Sequence, residues 1–157
     1  MGGEITWKCI KAGPDIGKYI FTMKVYRDCS GITVSTLAQT IQVWNHPTVT
    51  DFSVDFILQQ DVSPICDPVN SGNPQLNCAS GDPGSVEEYI FESLPVQLPG
   101  IPPNTGWQFT WDNCCRNAAI TNILNPSSEG FTLRASMYPF VDPTTGIPTP
   151  ADPCFDS

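Results

Sequence analysis

Charge is scarce in this sequence, and basic charge is the scarcer kind. Charged residues make up 15% of the 157 positions, against roughly 25% in an ordinary soluble domain. That composition excludes coiled coils and long solvent-exposed helices. Seven side chains are Lys or Arg and sixteen are Asp or Glu, a formal net charge of −9. Five of the cations fall in residues 1–29 beside three acids, net +2, and the rest of the chain carries two cations against thirteen acids, net −11. A surface with that balance repels phosphate, which argues against nucleic acid and anionic membranes as partners. Long apolar runs are also missing. None reaches the ~18 residues of a spanning helix, so no membrane insertion is expected. The chain has one histidine, His46, and no CxxC or Cys/His cluster. Structural zinc, which needs four convergent ligands, is therefore disfavoured. No basic and apolar leader follows Met1, so any signal peptide is expected to have been removed.

Proline is abundant. Its 16 residues are about one in ten, twice average usage, and each breaks a helix it enters. With 40% hydrophobic residues the chain can bury a core, and an all-β domain is the default. Ile5, Trp7 and Cys9 alternate with polar residues, as do Tyr19, Phe21, Met23 and Val25, and the turn-rich stretch 11–17 between them predicts a hairpin. Further strands are expected over 32–44, over 48–60 with Phe52, Val54, Phe56 and Leu58 in register, and over 87–98. Two more are expected through Trp107, Phe109 and Trp111, and through Phe131, Leu133, Ala135 and Met137. A helical turn fits best in 113–125, ended by Pro126. Seven to eight strands at this spacing predict an immunoglobulin-like antiparallel β-sandwich with disulfides and long Pro/Gly-rich loops, over residues 1–138. Residues 139–157, with five prolines, read as an extended tail or a linker to a following domain.

Seven cysteines point to disulfides and an oxidising, extracellular location. The expected framework uses Cys9, Cys29, Cys66, Cys78, Cys114 and Cys115, with Cys154 unpaired or bridged externally. Cys66 and Cys78 bracket a Pro/Gly loop and are the first expectation for a local bridge. Cys114 and Cys115 are neighbours that point apart in an extended chain, and Cys9 and Cys29 are their natural candidates.

Catalysis has little to draw on. His46 precedes Pro47, which marks it as a loop residue, and no carboxylate pair sits in surroundings that would raise one pKa. No enzymatic activity is expected. The four Asp-Pro dipeptides read first as turns. A calcium site from Asp67, Asp82, Glu87 and Glu88 is the sharper alternative, and Ca2+ is the one cofactor to consider. Trp7, Trp107 and Trp111 are in phase with core positions, whereas Trp44 stands beside a proline break, so Trp44 with Tyr138 is the candidate glycan contact.

Three stretches, GGEITWKC at 2–9, YRDCSGI at 26–32 and DNCCRNAAITN at 112–122, resemble the N-terminal region of large secreted surface proteins of Bacteroidetes. Those proteins carry a gliding-motility-associated, type IX secretion C-terminal segment many domains later. The order of the motifs matches, and the resemblance covers most of residues 2–138. Members carry a further cysteine shortly before the tryptophan matching Trp107, where this chain has Pro102, Pro103 and Asn104; that difference accounts for an odd cysteine count. The resemblance implies a cell-surface adhesin module. Its expected partners are other domains of the same protein, like subunits, or glycans. A bridge from Cys29 to Cys114 or Cys115 within the module would bring Arg116 to Asp28 as an ion pair. A head-to-tail filament is the further alternative, the +2 hairpin of one subunit meeting the −11 remainder of the next.

Overall fold

Period-two alternation of apolar and polar residues turns one face of nearly every strand inward. The computed structural model describes residues 1–64, 76–82, 84–114, 116, 120–141 and 144–147. Its strands are β1 (Gly2–Cys9), β2 (Tyr19–Asp28), β3 (Gln39–Trp44), β4 (Asp51–Asp61), β5 (Val86–Ser93), β6 (Trp107–Cys114) and β7 (Gly130–Met137). They form one antiparallel sheet in the order β1-β2-β5-β4-β3-β6-β7. The two edge strands approach each other: Leu133 of β7 lies over Gly3 of β1, where a Cβ would stand 2.7 Å from Leu133 Cδ1. Every neighbouring pair is antiparallel, so β1 and β7 run the same way and make no antiparallel ladder with each other.

The core is aromatic. Phe21 of β2 sits 4.7 Å from Phe109 of β6 and 4.6 Å from Phe52 of β4, and Trp7 lies 5.9 Å from Phe109. Trp107 and Trp111 are 2% and 3% exposed. The β1–β2 hairpin pairs in unbroken register from Gly2↔Tyr26 to Cys9↔Tyr19, as the alternation predicts.

Three local expectations are corrected. The β-branched run 32–38 is not a strand, because β3 begins only at Gln39. High β-propensity records a side chain's fit to a pleated surface and forms no ladder without a partner strand. Within β4 the register shifts between Phe56 and Leu58. That bulge turns Leu58 outward, to 43% exposure, and sets Gln59 opposite Tyr89, where it stays exposed. Finally, β6 runs on through Cys114, and the only helical turn among the described residues is a 3-10 turn at Pro126–Ser128, preceded by Asn125 in the left-handed region.

Candidate functional site

Strand alternation sends three connections to one end of the molecule: 29–38 between β2 and β3, 62–85 between β4 and β5, and 115–129 between β6 and β7. The first two are tied by Cys29–Cys78, with Cα atoms 5.2 Å apart. This corrects both expected pairings for these cysteines, the local Cys66–Cys78 bridge and the bridge from Cys29 to Cys114 or Cys115. The reason lies in the sheet. Asp28 pairs with Val86 across β2 and β5, and Cys29 N–H donates to the Ser85 carbonyl at 3.1 Å, so the approach to β5 is carried to the end of β2. Cys9 and Cys114 are disulfide-bonded as well. Cys66, Cys115 and Cys154 lie outside the described residues.

Beneath the Cys29–Cys78 bridge sits a buried polar cluster. Arg27 continues the inward phase of β2 and Glu87 that of β5, directly opposite each other. The pair is joined Nε to Oε1, and the two side chains are only 10% and 6% exposed. Gln59, set opposite Tyr89 by the bulge, donates to Glu87 Oε2, and Tyr89 donates to Oε1 at 3.1 Å. Arg27 also donates to the carbonyls of Gly31, 2.6 Å, and Cys29, 3.3 Å. Every charge is met, which is the condition for burying one. The sulfurs of Cys29 and Cys78 lie within 4.8 Å of the Glu87 carboxylate, but they are bonded to each other and offer no thiolate to a metal.

Glu88 points to the opposite face. Its Oε1 accepts from Tyr26, 3.0 Å, and pairs with Lys24, 3.2 Å; its Oε2 accepts from Gln60, 2.5 Å. Burial pushes its pKa up, but these donors outweigh burial and hold the carboxyl below its ordinary range. Glu87 and Glu88 therefore cannot share an ion. Asp82 lies apart, taking Asn77 N–H on its carboxylate at 3.2 Å, and Asp67 lies outside the described residues. Among the described residues Asp82, Glu87 and Glu88 do not converge on one point.

Nor are Asp28 and Arg116 brought together. Asp28 Oδ1 accepts from Ser30 N–H at 2.9 Å and Ser30 Oγ at 2.5 Å, which lowers its pKa. Arg116 Nε donates to the Gly130 carbonyl at 2.9 Å. The inward acid bonds to Arg27 instead, one residue earlier on β2.

His46 has a structural task that spacing alone does not show. Its Nδ1 accepts N–H groups from Val49, 2.9 Å, and Thr48, 3.2 Å, closing the β3–β4 turn. The ring packs 4.6 Å from Trp107, and Nε2 is buried without a hydrogen bond. Burial lowers its pKa, with a smaller opposing effect from the Pro99 carbonyl. A nitrogen committed to two backbone donors is not available as a general base. Pro99 also lines an open groove of about 500 Å3 with Pro14, Ile16, Lys18, Leu98 and Ile101; its one charged side chain, Lys18, is paired to Asp15 at 2.6 Å.

Trp44 and Tyr138 are 54% and 59% exposed; Trp44 ends β3 and Tyr138 directly follows β7, the two strands that flank β6. Trp44 Nε1 donates to Thr110 Oγ1 at 2.8 Å, which lays the indole against β6. The Tyr138 ring rests over Gly106, where a Cβ would stand 3.3 Å from its Cδ1 and Cε1. The rings make no contact with each other among the described aromatic pairs. Comparison with protein-family models, curated proteins and solved structures finds no match.

Proposed function

We propose that this chain is a non-catalytic structural and adhesive module of an extracellular bacterial cell-surface protein, built as an immunoglobulin-like sandwich. The observation that carries the proposal is the end bearing Cys29–Cys78. Three connections leave it together, two of them tied by a disulfide above a fully paired Arg27–Glu87 cluster. Long loops held on a rigid base are how sandwich domains present a recognition surface. The strand order supports the sandwich. In immunoglobulin lettering it is A-B-E-D-C-F-G, the A-B-E-D and C-F-G sheets with D also laddered onto C. The disulfide suits an oxidising compartment, and the three motifs shared with Bacteroidetes surface proteins favour the cell surface.

The filament alternative loses ground. Lys18 is spent on Asp15, Lys24 on Glu88 and Arg27 on Glu87, so most of the basic charge of residues 1–29 is neutralised within the fold. To test the adhesive reading, beads coated with the oxidised protein are applied to bacterial cells, host cells and extracellular matrix. Retention that excess soluble protein abolishes is the expected result; retention no greater than that of beads coated with an inert β-domain overturns it.

A further inference from the structure

The outer face of β3, β6 and β7 carries two anchored aromatic rings in a polar field. Trp44 lies opposite Gln108 on β6, and Gln108 lies opposite Ser136 on β7. Two strand spacings across and two residues along to Tyr138 place the two residues' Cα atoms roughly 12 Å apart, the length of about two linked pyranose units. Thr110, which anchors the indole, is paired with Gln42 on one side and Arg134 on the other. Gln42 and Arg134 are exposed. Arg134 makes no ion pair or side-chain hydrogen bond among the described residues, whereas Lys18, Lys24 and Arg27 are all paired.

This inventory matches one kind of ligand. A pyranose has an apolar C–H face that packs on an aromatic ring and a rim of hydroxyls that both donate and accept. Planar amides and a guanidinium are suited to that rim. Rings whose positions are already fixed, Trp44 by its N–H and Tyr138 by its seat on Gly106, lose little freedom on binding. The net charge of −9 repels polyanions, which selects neutral glycans over uronate or sulfated chains.

We propose that the outer face of β3, β6 and β7 binds a neutral glycan chain, one sugar stacked on Trp44, another beside Tyr138, and the hydroxyls met by Gln42, Gln108 and Arg134. The proposal rests on the adhesive reading and gives it a ligand class. The test titrates the oxidised full chain with neutral gluco-, manno- and galacto-oligosaccharides of about six units, with oligogalacturonate as the anionic control, read by calorimetry and tryptophan fluorescence. At least one neutral series is expected to bind and the anionic control to bind more weakly. Trp44→Ala is expected to weaken binding at least about tenfold, and Tyr138→Ala and Arg134→Ala about threefold or more. Trp44→Ala also removes the bond to Thr110, so melting is measured alongside; Tyr138→Ala touches no ladder and keeps the test decisive where Trp44→Ala unfolds. Absence of binding across the neutral series, or wild-type affinity in well-folded Trp44→Ala and Tyr138→Ala, overturns the proposal. If coated beads still adhere to cells in that case, only the glycan proposal falls; if they do not, the adhesive reading falls with it.

Discussion

Arg27 and Glu87 are charged residues at positions where an apolar side chain would fit the strand pattern. Arg27 follows Tyr19, Phe21, Met23 and Val25 in phase, and Glu87 precedes Tyr89 and Phe91. Two opposite charges in phase with core residues of separate strands are a signal, legible in the sequence, that the strands are neighbours. Spacing to the nearest cysteine pointed instead to Asp28, whose oxygens are taken locally by Ser30. Removing one partner of a buried pair strands the other charge. Arg27→Met is therefore expected to cost about 3–5 kcal/mol in urea unfolding, and Arg27→Met/Glu87→Leu to cost less than the single change. A loss below about 1 kcal/mol for Arg27→Met would mean that the pair is solvated. His46 was legible as a turn residue and illegible as the clamp of that turn, because its partners are backbone N–H groups rather than a motif. Its folded pKa is depressed, so its stabilising effect is complete above the unfolded value of about 6.5 and is lost as pH falls through the lower folded value. Melting temperature should therefore drop between about pH 7 and pH 5, and His46→Asn, which cannot titrate, should flatten that slope. A His46→Asn profile parallel to wild type would assign the pH dependence to the carboxylates.

At the scale of elements, periodicity located β1, β2, β6 and β7, because each keeps alternate residues in the core without a break of phase. It failed where the chain changes partners or has none. The bulge after Phe56 inverts the phase of β4, and an inversion of one residue cannot be told from an irregular pattern without knowing the partner strand. Residues 32–38 carry the composition of a strand with no strand to pair. The bridge Cys29–Cys78 depends on β2 and β5 being neighbours, which lies in the topology and not in the spacing. It closes 49 residues, so Cys29→Ser/Cys78→Ser should lower stability by about 4 kcal/mol on the chain-entropy account. A melting temperature unchanged by the double substitution would contradict the staple. The seam between β1 and β7 gives another test. A Cβ at Gly3 would collide with the Lys24 carbonyl and Leu133, whereas one at Gly2 meets nothing within 4 Å. Gly3→Val is expected to cost about 1–3 kcal/mol, and Gly2→Ala close to none; equal effects would show that the seam is loose.

For the molecule as a whole, composition already excluded helical classes, and the all-β sheet follows that exclusion. What composition could not show is how charge and aromatic surface are deployed. Near the N-terminus Lys18, Lys24 and Arg27 pair with carboxylates within the fold, and Trp44, Tyr138 and Arg134 stand out on a net-acidic molecule. One end is stapled, and the sheet beside the other end bears the exposed rings. The proposed role is adhesion, and bead retention on cell surfaces tests it most directly. The account predicts retention by the oxidised protein that soluble protein competes away and that falls when Cys29–Cys78 is removed. Retention no greater than that of an inert β-domain on every surface would contradict it.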